Sequence, residues 1–221
     1  VQSQLQTVVA NIQSHRDRVE TPDFYNIDFW FSKEVIQQLA VLRYCIDQLA
    51  TLPSVKIFLQ VPFSETVREC SYTRNNEFKL YRMKAEELLT FQPDVLGLFW
   101  KKLNQAVKIY ETYYYPKLTN AKITLSHQFR PKYNYYDVVL TSPPYGDSKT
   151  TVAYGQFSLL SNEWLGIKEA RQIDKRLLGG QRVNTLYHQS LIKDYLVEIS
   201  KQSEKRALEV SAFYFDLAQS I

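Results

Sequence analysis

The chain has 221 residues, 45% of them apolar and 23% charged, with a formal net charge of +4. Those proportions suit a soluble globular protein with a sizeable core and exclude an intrinsically disordered chain. A mildly basic balance permits a nucleic-acid partner without demanding one.

Two cysteines, Cys45 and Cys70, and three histidines, His15, His127 and His188, are scattered singly. Neither a disulfide framework nor a metal site is expected from them. No run of about 18 apolar residues occurs, and nothing at the start resembles a leader, so the expectation is a cytoplasmic protein with no membrane partner. The chain opens on Val1, its only methionine is Met83, and helical spacing at Val210, Phe213, Tyr214, Leu217 and Ile221 reaches the last residue. Both ends are therefore expected to be cuts within a longer protein.

In chain order, Leu5, Val8, Val9 and Ile12 mark an amphipathic helix near the start. Ser32–Leu49 is clearer: Val35, Leu39, Leu42, Ile46 and Leu49 alternate steps of four and three behind Ser32 as N-cap. Residues 54–70 read as a helix interrupted near Pro62. Beyond Pro93, taken as a first-turn residue, Val95, Phe99, Leu103, Ala106 and Tyr110 make another long helix. The period then changes. Ala121–His127 alternates as a half-buried strand, and Tyr136–Thr141 is a short β-branched run stopped by Pro143-Pro144, the pattern of a buried parallel strand. Gln156–Leu165 reads as a helix capped by Gly166, and Ile167–Leu178 as one closed by Gly179-Gly180. Helical stretches at 184–199 and 204–221 complete the chain.

A strand, a tight loop and then helices describe one half of a doubly wound α/β sheet, in which ligands sit beyond the carboxyl ends of strands. That places Ser142–Tyr145 at a natural active-site position, although a Pro-Pro pair also simply ends strands. The segment Asp137-Val-Val-Leu-Thr-Ser-Pro-Pro-Tyr145 resembles the catalytic motif of amino-group DNA methyltransferases, which is Ser, Asp or Asn followed by Pro-Pro and an aromatic at a strand end. Thr66–Arg82, reading TVRECSYTRNNEFKLYR, and Tyr145–Gly166, reading YGDSKTTVAYGQFSLLSNEWLG, are similar to segments of bacterial DNA modification methylases. The resemblance covers the chain from about Asn26 to Ile221.

The resemblance implies a Rossmann-like α/β methyltransferase fold. Residues 121–221 would be its partial catalytic domain, and residues 1–120 a mainly helical segment serving as DNA-recognition material. It implies Ser142, Pro143, Pro144 and Tyr145 as catalytic residues. The chemistry asks for these types. An exocyclic base nitrogen is a weak nucleophile because its lone pair is delocalised into the ring. The Ser142 hydroxyl and the Pro143 carbonyl can accept its hydrogens, a stiff Pro-Pro loop holds that carbonyl in place, and Tyr145 can stack on an extruded base. Ser142 puts cytosine N4 ahead of adenine N6, because Ser more often accompanies cytosine in the families resembled. Methylation of cytosine C5 is disfavoured, since neither cysteine follows a proline in a strand-end loop.

The methyl donor implied is S-adenosylmethionine, held by a Gly-rich turn after a strand. No Gly-x-Gly occurs here, so that turn is expected before Val1 and further strands after Ile221. The chain alone is then expected to be incomplete and inactive. Double-stranded DNA is the implied partner, with a cognate restriction endonuclease in a restriction-modification system. Arg68, Arg74, Lys79 and Arg82, interleaved with Tyr72, Phe78 and Tyr81 around an Asn75-Asn76 turn, suit DNA contact. An ordinary surface loop with local Arg–Glu pairs accounts for them equally well. Lys149, just past the motif, can approach a phosphate. Lys168, Arg171, Lys175, Arg176 and Arg182 read as a solvated helix face. The rival readings are RNA or protein-glutamine methylation, and a non-catalytic nucleic-acid-binding or scaffold fragment.

Overall fold

Ser32 opens the first long helix among the described residues. The structure, a computed structural model, describes residues 19–49, 52–74, 77, 79–115, 137–138, 140, 154–173, 183–188 and 190–220. A short helix α1 (Ile27–Trp30) precedes Ser32. The Ser32 hydroxyl then accepts the Val35 N–H at 3.2 Å, capping α2 (Lys33–Leu49) as its sequence predicts. Val35, Leu39, Leu42 and Ile46 are all buried, so the four-and-three spacing does become one packed stripe.

Helix α3 (Pro53–Cys70) starts on a proline and runs straight through Pro62, so the expected interruption does not occur. Pro62 removes one backbone donor from the ladder. Its own carbonyl gains one, because the Thr66 hydroxyl donates to it at 2.8 Å. Burial of Leu59, Pro62, Phe63 and Val67 outweighs the missing bond, since tertiary packing supplies most helical stability. A short α4 (Ala85–Thr90) follows, then α5 (Val95–Ile109). The α5 cap is Asp94, whose carboxylate accepts the Gly97 N–H at 2.9 Å, and Pro93 stands just outside the helix. The stripe Val95, Phe99 and Leu103 is buried, and the helix then loosens into a π-turn at Tyr110–Tyr114.

Helix α6 (Tyr154–Trp164) ends as the glycine predicts. Gly166 adopts φ +70° and donates to the Glu163 carbonyl, while Ile167 donates to Asn162, a Schellman closure. The expected helix over 167–178 is not found in its described part, which holds one 3-10 turn, Ala170–Gln172. Helices α7 (Ser190–Gln202) and α8 (Glu204–Ser220) then pack against each other, α7 beginning later than its apolar spacing suggested.

Helix α3 is the centre of the main core and packs against α2, α5 and α6. Trp164, fully buried, meets Phe24, Phe31 and Phe63 edge-on with ring centroids 6.1, 5.8 and 6.4 Å away. Edge-to-face contact suits the aromatic quadrupole. The end of α6 is thereby locked into the core.

The Rossmann-like α/β expectation is overturned. The described residues are dominated by helix and contain no strand; one antiparallel bridge, Thr73 to Arg82, is the sole β feature among them. Asp137, Val138 and Leu140, read as part of a buried parallel strand, take no strand conformation, and Val138 and Leu140 are 74% and 94% exposed. A β-branched run becomes a buried strand only where neighbouring strands take up its ladder and cover its faces. No described segment does so here. The alternating stretch 121–127 and the proposed division at 120/121 lie outside the described residues. No helix among the described residues is long and apolar enough to cross a membrane.

Candidate nucleic-acid interface

The basic-aromatic segment leaves α3 as a small antiparallel excursion. Ser71 and Thr73, both fully buried, share a hydroxyl–hydroxyl hydrogen bond of 2.7 Å at its base. Arg74 N–H donates to the Tyr81 carbonyl at 2.9 Å, and Met83 N–H to Tyr72 at 2.8 Å. Tyr72 N–H in turn donates to Trp30 at the end of α1, at 2.8 Å. The hairpin suggested by Asn75-Asn76 thus exists in its described residues, with those two asparagines outside them.

Its four cations meet different fates. Arg68 is buried inside α3 and directs its guanidinium to two main-chain carbonyls, Phe157 at 2.9 Å and Glu77 on the hairpin. The same guanidinium lies 3.8 Å from the centre of the Phe157 ring. Burial pulls its pKa below the usual arginine value. Arg82 is half-buried: its Nε donates to Phe29 O at 3.0 Å, and its guanidinium stacks between Phe29 and Tyr72 at 4.4 and 5.3 Å. Arg74 is exposed and Lys79 is half-buried. The structure therefore brings these residues to one hairpin, with two guanidiniums holding it and Arg74 facing solvent.

Ser142, Pro143, Pro144, Tyr145 and Lys149 lie outside the described residues. What is described is the anchor that follows them. Tyr145 stands nine residues before Tyr154, the first residue of α6. The first turns of α6 are tied to the hairpin by Arg68 and by the Leu80 N–H, which donates to Gln156 Oε1 at 3.4 Å. Ser161 Oγ donates to the Ser64 carbonyl at 2.7 Å, fixing α6 against α3.

Sequence reasoning missed Phe29, Phe157 and Tyr25 as partners of the cations, and Gln156 as the acceptor of the Leu80 N–H, because their pairing is long-range and leaves no periodic signal. Arg171, read as part of a solvated helix face, is exposed on the 3-10 turn but also makes specific contacts that the reading missed. Arg171 Nε pairs with Glu163 at 3.1 Å, its Nη2 donates to Tyr25 O at 2.9 Å, and its guanidinium caps the Tyr25 ring at 4.9 Å. Both cysteines are buried and unpaired by disulfide, and burial pushes each thiol up to about 12, with Glu69 and Asp94 adding to the rise at Cys70. That burial favours the protonated, unreactive thiol in both.

Over 226 aligned residues the chain is 41% identical to the type II methyltransferase M.MvaI of Kocuria varians. This chain is similar to a type II methyltransferase. The alignment takes in 90% of this chain and 49% of that protein, so the chain spans about half the length of the curated relative it matches. No family model matches the chain, and no solved structure does.

Proposed function

We propose that this chain is the motif-bearing part of a site-specific DNA methyltransferase that methylates the exocyclic amine of a base, cytosine N4 ahead of adenine N6. The observation that carries the reading is 41% identity to a type II methyltransferase across 90% of the chain. The Ser142-Pro143-Pro144-Tyr145 motif and the basic hairpin support it.

In this reading the target base leaves the duplex, because its amine is unreachable inside the stack. Tyr145 receives the base face-on. Ser142 Oγ and the Pro143 carbonyl accept the two amine hydrogens, leaving the nitrogen lone pair free to point at an electrophilic methyl. Catalysis is then alignment together with charge stabilisation as the nitrogen becomes cationic. Arg74, Lys79, Arg82 and Lys149 lie in segments suited to the phosphates of the duplex, with Arg82 presented on a stacked aromatic support.

S-adenosylmethionine is the donor that this reading calls for. Of the described glycines, Gly97 and Gly166 serve helix ends: a side chain at Gly97 would strike the Asp94 cap, and Gly166 closes α6. The steps above belong to the chain's own groups. Incubating the intact protein with DNA and methyl-labelled S-adenosylmethionine, then analysing the nucleosides, tests the proposal. Label in the amino group of a base supports it; unlabelled DNA rejects it.

A further inference from the structure

A guanidinium is expensive to take from water, and one on a helix ordinarily stays at the surface. Arg68 is instead 8% exposed, and three chain segments converge on it. It belongs to α3, donates to the hairpin at Glu77 O, and donates to the first turn of α6 at Phe157 O. Its flat face rests on the Phe157 ring at 3.8 Å. Both acceptors are main-chain atoms, so the contact fixes where the two segments lie, whatever side chains they carry. Arginine alone offers donors in a planar fork together with a stacking face; a lysine ammonium is a point charge and cannot do both.

We infer that Arg68 is a positioning residue that sets the 72–83 hairpin at a fixed place relative to the start of α6, and so aligns DNA held by the hairpin with the chain entering that helix. This rests on the methyltransferase reading. Two further ties act in the same direction, Leu80 to Gln156 and Ser161 to Ser64. Buried against the Phe157 ring and bonded to two protein carbonyls, Arg68 is placed to hold the chain and is expected to make no phosphate contact. Loss of the clamp should slow methyl transfer while leaving DNA affinity and its salt dependence alone.

The test is single-turnover methylation and DNA binding by the intact protein, comparing wild type with Arg68→Lys and Arg74→Ala. Arg68→Lys is expected to lower the rate constant about 10–100-fold, as small misplacements of reacting groups do. Its DNA Kd and the slope of log Kd against log salt should match wild type. Arg74→Ala, which removes an exposed cation, should reduce that slope by about 0.9. If Arg68→Lys lowers only the reaction amplitude at an unchanged rate constant, Arg68 merely supports folding and the inference fails. A reduced salt slope in Arg68→Lys would also overturn it, by making Arg68 a phosphate contact. Wild-type protein that leaves DNA unmethylated would reject the functional reading, and this inference with it. Should Arg68→Lys not fold, Phe157→Leu removes the stack alone and should lower the rate constant in the same way by a smaller factor; an unchanged rate constant there rejects the clamp.

Discussion

Cys45 and Cys70 sit in α2 and α3 with no exposed surface, and burial pushes both thiols from 9.0 up to about 12. The folded chain then keeps two protons that an unfolded chain releases between those values, so stability falls as pH rises through that window. Lys102 acts in the same direction. Hydrogen bonding to Glu69, then to Glu65, holds its pKa above 10.5, so its contribution is present below that value and is lost as pH climbs through its folded pKa. The denaturant midpoint is expected to drop from about pH 8 to about pH 11. A Cys45→Ala, Cys70→Ala double variant should show a shallower drop, and an equally steep one would assign the effect to other groups. Native protein should also resist thiol reagents near neutral pH and react fully once unfolded. At the motif, replacing Tyr145 by Ala should remove stacking worth roughly 1–3 kcal/mol per base, costing about one to two decades of methylation efficiency, while Tyr145→Phe should be mild. Equal damage from Phe and Ala would point to the hydroxyl instead of the ring.

The helices owe their ends to single residues, and those ends are open to direct measurement. Asp94→Ala removes the side-chain acceptor of the Gly97 N–H and should destabilise the protein by about 0.5–2 kcal/mol in denaturant titration. Gly166→Ala places a Cβ at φ +70°, strains the Schellman closure of α6, and should cost about 1 kcal/mol. Near-wild-type stability in both would mean that packing alone sets these ends. Such ends were legible because capping is local: Ser32, Asp94 and Gly166 act within a few residues of themselves. The stripes of α2 and α5 were legible too, since a helix repeats its buried face every three or four residues. Pro62 misled because propensity is local, whereas the burial that holds α3 together comes from three other helices. The strand reading at 136–141 failed for a related reason. β-branched residues state a preference, but a strand needs partners, and the exposed Val138 and Leu140 have none among the described residues. The clamp around Arg68 was unreadable because its two acceptors are backbone carbonyls, one of them on α6 and far along the chain.

At the scale of the whole molecule, the proposed methyltransferase reading leaves one chemical choice, which amine receives the methyl. Cytosine and adenine present similar amidine-like edges, so a loop that accepts two amine hydrogens suits either base. In that reading Ser142 biases the choice. A hydroxyl is a neutral acceptor and donor, whereas an aspartate at that position would bring a full negative charge to an amine becoming cationic. The amine of cytosine borders the ring N3 acceptor, to which a hydroxyl can also donate, so a serine can serve both edges of that base at once. Adenine offers the same pair at N6 and N1 but on a larger ring, which asks more room of a stiff Pro-Pro turn and of Tyr145 stacked on its face. DNA modified by the intact protein, digested to nucleosides and separated by mass, is therefore expected to contain N4-methyldeoxycytidine. N6-methyldeoxyadenosine as sole product would leave the amine mechanism standing and overturn the assignment of cytosine to Ser142. A 5-methyl product would overturn the mechanism itself, because the methyl would then sit on a ring carbon and not on the amine.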